Sequence, residues 1–116
     1  MFFPESQVRV WLCHKPVDMR KSFDGLAALA KNHMGEDPLS GHLFVFINRR
    51  RTHIKILYFD RSGYCLWAKR LEQGCFQYKL GPDNKKLLDL TQLKMIIEGI
   101  DLQNTKQRKR YKHPTK

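Results

Sequence analysis

The sequence predicts an α+β domain: a central antiparallel β-meander, an N-terminal strand and helix packed on it, a short C-terminal helix and a disordered basic tail. Three observations predict it. Runs rich in β-branched and aromatic residues gather between Leu43 and Leu80 and are separated by turn residues. Apolar residues at helical spacing flank that region on both sides, the segregated order of an α+β fold. After Asp101, the last acid, six cations follow without a single carboxylate, a composition that cannot build a core. The 116 residues suit one domain. It is read as 1–103, with 104–116 as a flexible tail.

The elements follow in order. Val8 to Cys13 is β-branched and weakly alternating, so it reads as a strand, and Pro16 prevents its continuation. Asp18 stands where a helix N-cap belongs. From Met19 onward, Phe23, Leu26, Ala27, Ala30 and Met34 form one apolar stripe of a helix. Gly25 within it is read as a point of close packing on the sheet, and Gly35 as a left-handed cap. Leu43 to Ile47 is apolar on both faces, which predicts a central strand covered on both sides. Ile54 to Phe59 is the next strand, so the two form a hairpin with Arg49, Arg50 and Arg51 at its tip. Asp60 to Gly63 is a tight turn with Gly63 at positive φ, and Tyr64 to Leu71 is the third strand of the meander. Glu72-Gln73-Gly74 turns the chain into a shorter strand, Cys75 to Leu80. Gly81 to Lys86 is a polar loop and Leu87 to Leu90 a short apolar stretch. Thr91 is read as the N-cap of a second helix carrying Leu93, Ile96 and Ile97, ended by Gly99.

Charge is the strongest global signal. Lys and Arg number 22 against 11 acids, a formal +11, and six of those net charges lie in the tail. Such a surface seeks polyanions. The tail lacks apolar anchors, which disfavours a membrane surface, and no apolar run reaches the ~20 residues of a membrane span. Cys13, Cys65 and Cys75 form no C-x-x-C pair; they read as buried small hydrophobes in a reducing compartment. With no signal-peptide pattern at the N-terminus, a cytoplasmic location follows as the expectation.

Two stretches are candidate nucleic-acid contacts. The hairpin tip carries Arg49, Arg50 and Arg51, with Lys55 and Arg61 nearby in sequence; arginine forks match phosphate oxygens. The tail carries Lys106, Arg108, Lys109, Arg110 and Lys112 around Tyr111. Neutralising about five phosphates there corresponds to a log–log salt slope of about −4 to −5. Catalysis is not expected. The carboxylates are dispersed in sequence and read as caps, turn residues and surface charges. His14, His33, His42, His53 and His113 show no ligand spacing, and no nucleophile motif or phosphate-cradling glycine loop occurs. No metal, cofactor or small-molecule substrate is therefore expected. Trp11, Trp67, Phe44 and Phe46 read as core, not as a base-stacking platform.

Four stretches carry a resemblance to a known family. They are Pro16-Val17-Asp18-Met19-Arg20-Lys21-Ser22-Phe23-Asp24-Gly25-Leu26, and Asp37-Pro38-Leu39-Ser40-Gly41-His42-Leu43-Phe44-Val45-Phe46. The third joins Ile54-Lys55-Ile56-Leu57 to Leu66-Trp67, Lys69-Arg70-Leu71-Glu72, Gly74 and Phe76. The fourth is Leu93 with Glu98-Gly99-Ile100-Asp101. Over residues 8–102 the chain resembles the TnpB accessory protein, the second open reading frame of the three-gene bacterial insertion sequences of the insertion-sequence sixty-six family. The family often has Trp-Pro where Tyr78 and Lys79 stand here. The resemblance implies a part in DNA transposition, at the bacterial nucleoid, beside a separately encoded DDE transposase and another small element-encoded protein. It implies no settled chemistry. The leading expectation is thus a non-catalytic assembly factor holding the backbone of the element's DNA ends. Two alternatives stand beside it: a protein–protein adaptor without DNA contact, and a small metal-independent ribonuclease using His53, Lys55 and Arg70.

Overall fold

The computed structural model describes residues 7–79 and 81–99; the expected flexible tail, 104–116, lies outside the described residues. Seven elements occur in the order β1 (Val10–Cys13), α1 (Phe23–Asn32), β2 (Leu43–Ile47), β3 (His53–Asp60), β4 (Gly63–Arg70), β5 (Lys85–Leu88) and α2 (Leu90–Glu98). The α+β expectation holds. One five-stranded sheet runs β4-β3-β2-β1-β5. The meander β2-β3-β4 is antiparallel, but β1 joins β2 in parallel, with Val10 opposite Leu43 and Leu12 opposite Val45. The sheet is therefore mixed. Helix α1 makes the crossover that a parallel pair requires.

All five residues of β2 are buried, as its two-sided apolar pattern demands. Phe44 and Phe46 face α1 and pack with Leu26, Ala30, Met34, Cys13, Val17 and Leu57. Leu43, Val45 and Ile47 face the other way, towards Leu93 and Ile96 of α2 and Phe76 and Tyr78 of the connecting segment. Burial of each large side chain stabilises the fold by about 1.5–3 kcal/mol relative to exposure. The three thiols are free; Cys13 is buried and the other two are half-buried.

Several local expectations are corrected. Helix α1 begins at Phe23 with Ser22 as N-cap, and Ser22 makes no side-chain cap bond. Asp18 lies a turn earlier. Its carboxylate accepts from the Arg20 N–H at 2.9 Å, and its carbonyl accepts from the Lys21 N–H at 3.1 Å. An Asp can close such a turn on its own backbone as readily as it caps a helix, and here the turn wins. Phe23 leaves the apolar stripe and is 43% exposed. A Cβ at Gly25 would meet Lys21 at 3.3 Å, not the sheet. Gly35 does take positive φ, 69°, and lets Glu36 N–H reach the Ala30 carbonyl.

At the β3–β4 turn the positive φ falls on Arg61 (52°) and not on Gly63. Residues 75–79 form no strand; they cross the α2-side face as an irregular cover. The expected loop and apolar stretch at 81–90 instead contain β5, antiparallel to β1. The cap of α2 is Asp89, not Thr91. Asp89 accepts from Gln92 N–H at 2.7 Å, and Gln92 accepts from Asp89 N–H at 3.0 Å, a capping box. Gly99 ends α2 at φ 77°, as expected.

Asp89→Ala is expected to lower unfolding stability by about 1 kcal/mol in urea denaturation. Ser22→Ala, which removes no cap bond, should leave the midpoint unchanged.

Candidate nucleic-acid interface

The sheet topology sends particular residues to one end of the molecule. Strands β1 and β2 run the same way, so His14 and Lys15, just past β1, sit beside the β2–β3 connection. Strand β5 starts at that end, with Lys85 opposite Cys13. Strand β4 finishes there, with Arg70 opposite His53. Helix α2 also finishes there, since Lys69 Nζ donates to the Ile97 carbonyl at 2.9 Å. Gly99, the last of the described residues, therefore lies at the same end. The opposite end carries Asp60 and Asp89 with Arg9 and Arg61.

The hairpin tip is built by Asn48. Its side-chain oxygen accepts from the N–H of Thr52 and of His53, and its carbonyl accepts from Arg51 N–H. Arg49 and Arg50 project from this tip into solvent and make no hydrogen bond or ion pair among the described residues. Arg51 departs from the expected solvent-facing trio. It sits at φ 61°, its guanidinium lies 4.5 Å from the Tyr78 ring centroid and donates to the Tyr78 carbonyl at 3.3 Å. Its own carbonyl accepts from Phe76 N–H at 2.7 Å. Arg51 thus pins the 75–79 cover onto the sheet. Burial raises the Tyr78 phenol above its ordinary pKa, and the Arg51 charge works against that shift.

Lys55 is likewise used internally. Its ammonium donates to the carbonyls of Met19 (2.8 Å) and Lys21 (2.9 Å), fastening the segment before α1 to the sheet. Arg61 lies at the far end of β3, a strand length of about 25 Å from the tip. The expected cluster of five cations therefore divides: two exposed at the tip, two working in the fold, one at the opposite end. Lys106, Arg108, Lys109, Arg110 and Lys112 lie outside the described residues.

Other residues join Arg49 and Arg50. Val17 N–H donates to the Ile47 carbonyl and brings Pro16 to Met19 alongside the tip. Between them is a cleft of about 470 Å³ lined by Pro16, Asp18, Met19, Asn48, Arg49, Arg50 and His53. A second hollow, sharing Met19 and His53, continues past Lys55 to Ala68, Lys69 and Arg70 at the β4 edge. On the β1–β5 side, a third hollow of about 460 Å³ is lined by His14, Lys79, Asp83, Lys85 and Lys86. Of these, Lys85 pairs with Glu36 and lies over Trp11, while Lys79 and Lys86 have no ion pair among the described residues. Sequence reading missed Lys79 and Lys86 because their neighbourhood depends on β5. Charge at the start of β5 was the one available signal.

Asp18, Glu36 and Glu72 near this end are ion-paired, while exposed Asp83 makes no ion pair among the described residues. Arg20 holds Asp18 bidentately, with contacts of 2.6–3.1 Å, and these hydrogen bonds lower its carboxyl to about 2. Arg70 holds Glu72 at 2.7 Å. Among the described residues, no group of three or more His, Cys, Asp or Glu is placed to hold a metal ion. No helix there is long and apolar enough to cross a membrane.

Comparison with known proteins points one way. Residues 8–107 match the family described as IS66 Orf2 like protein. An uncharacterised protein of Sinorhizobium fredii, y4jC, is 33% identical over all of this chain and 98% of its own length. A second from the same organism, y4hO, is 35% identical over 81% of this chain and 82% of its own. No solved structure matches.

Arg51→Ala is expected to cost about 1–2 kcal/mol, the sum of a partly buried cation–π contact and a hydrogen bond. Arg49→Ala and Arg50→Ala should each stay within about 0.5 kcal/mol of the parent. Denaturant melts of the three variants make the comparison. For Asp18, the fold favours the ionised form. Its contribution is complete above the ordinary carboxylate range and is lost as pH falls towards 2. An NMR titration should place the Asp18 midpoint near 2, and Arg20→Ala should return it towards the usual carboxylate value.

Proposed function

The chain belongs to the IS66 Orf2-like family, and from that premise we propose that it is a non-catalytic accessory protein of transposition whose cationic sheet end holds the DNA backbone. Membership makes it a transposition-associated protein; the contact with DNA is the further reading. One observation carries it: exposed Arg49, Arg50 and Lys79 lie at one end of the sheet, with half-buried Lys86 of β5 nearby and Gly99, which precedes the basic tail in sequence, at the same end. Cations gathered there repel one another and contribute nothing evident to the fold. Phosphate oxygens would relieve that repulsion, and arginine forks would bind them bidentately. The contacts are to backbone and independent of base sequence. The tail then adds a tethered second charge block at high local concentration. In this reading the protein works at the bacterial nucleoid, beside the DDE transposase and the other small element-encoded protein.

A second reading has one observation in its favour. His53, Lys55 and Arg70, the trio expected of a small ribonuclease, do line one hollow. Each is occupied, however. His53 Nδ1 lies 3.0 Å from the Thr52 hydroxyl and 3.3 Å from Asn48 Nδ2, Lys55 is bonded to two carbonyls and Arg70 to Glu72. Cleavage of mRNA that disappears in His53→Ala would carry this reading over the first.

The test of the first is binding to terminal DNA of the element across a salt series. Arg49→Ala/Arg50→Ala should flatten the log–log slope by about 2, since each neutralised phosphate contributes roughly −0.9. Arg61→Ala should leave it unchanged. Absence of DNA binding by the parent chain, alone and with the transposase, overturns the DNA reading and leaves the adaptor.

A further inference from the structure

The two edges of the sheet are unlike. Edge strand β5 has four residues, two of them lysines, and is blunted in the usual way against pairing. Edge strand β4 has eight. Its central run Tyr64-Cys65-Leu66-Trp67-Ala68 contains no charge, proline or glycine, and Tyr64 to Trp67 are half-buried. Leu71 N–H donates to Thr52, so Thr52 and Leu71 are a hydrogen-bonded pair. By alternation the backbone groups of Tyr64, Leu66, Ala68 and Arg70 point away from β3. Among the described residues nothing accepts from or donates to them.

We propose that β4 pairs antiparallel with β4 of a second copy of this chain, joining two sheets into one of ten strands. The occupant is argued from register and charge. Outward backbone groups lie on even-numbered residues only, so an antiparallel pairing must match even with even. Two registers keep nearly the whole strand. One centres on Leu66 and sets Tyr64 opposite Ala68 and Cys65 opposite Trp67 of the second copy, leaving Arg70 opposite Ser62 in the turn. The other centres on Trp67. It brings the two indoles together at a non-hydrogen-bonded pair, where Cα atoms are about 4.5 Å apart. It also sets Leu66 opposite Ala68 and each Tyr64 ring opposite Arg70 of the other copy, an arrangement suited to cation–π contact. The Trp67 register alone pairs Trp67 with Trp67 and Tyr64 with Arg70, and it is therefore the one assigned.

Overall charge favours the same arrangement. A parallel alignment would bring the two basic ends side by side. The antiparallel one sends them to opposite ends of the joined sheet, an eight-residue strand of about 27 Å apart. That is about three Debye lengths in physiological salt. The dimer so formed presents two cationic ends facing away from each other.

The test is sedimentation of the full chain at micromolar concentrations in high salt, with amide exchange by NMR. A species of twice 13.8 kDa is expected. The amides of Leu66, Ala68 and Arg70 should exchange at least ~10-fold more slowly than in diluted samples. Ala68→Pro removes an outward N–H without touching the β3 ladder, and should give a folded monomer by circular dichroism. Should that variant not fold, the concentration dependence of exchange in the parent decides alone. A monomeric parent, a dimer that persists in folded Ala68→Pro, or edge amides equally protected at all concentrations overturns the proposal. DNA binding is measured separately, and its failure leaves this pairing untouched.

Discussion

Leu43–Ile47 has no solvent-facing side, and that constraint organises the molecule. A strand with five consecutive buried residues needs neighbours on both edges and a cover on both faces. Strands β1 and β3 supply the edges. Helix α1 covers Phe44 and Phe46, and α2 with residues 75–79 covers Leu43, Val45 and Ile47. Because β1 precedes β2 in parallel, the chain between them must cross one face, and α1 is that crossing. The opposite face is left to the C-terminal half, which reaches it only after β4 has ended on the far side of the sheet.

The covers are fastened by cations. Lys55 ties down the segment leading into α1, Arg51 ties down residues 75–79, and Lys69 ties down the end of α2. In each case a long side chain extends from the β3–β4 hairpin or its entrance and ends on backbone carbonyls, an acceptor set that irregular segments and helix ends leave available. A basic composition thus divides into two populations. One set of cations completes hydrogen bonding within the fold. The other, Arg49 and Arg50 at the tip and Lys79 before β5, stays in solvent at one end.

That division gives the proposed activity its shape. A binding surface made of exposed cations on a rigid tip is positioned by the same hairpin that holds both covers in place. Edge strand β4 borders this end without being part of it. Pairing through β4 would multiply the cationic ends without altering either one, because the backbone groups it uses face away from the hairpin.

Much of the fold was legible in the residues themselves. Two-sided apolarity marked β2, turn tetrads marked the meander, helical spacing marked both helices, and the family resemblance was carried by contiguous motifs such as Pro16 to Leu26. What escaped was decided by partners distant in sequence. Residues 75–79 have strand-like composition, but Arg51 and the sheet face hold them as an irregular cover. Lys85 to Leu88 looks like the end of a loop until β1 offers it a free edge. Asp18, Asp89 and Thr91 are all competent caps, and packing chose Asp89 while giving Asp18 to a turn. By itself the sequence determined the family, the α+β class and the surplus of positive charge, because these depend on composition and local periodicity. The tertiary structure alone decided which cations are used up inside the fold and which are left together at one end. That outcome depends on where strand order and direction place residues tens of positions apart.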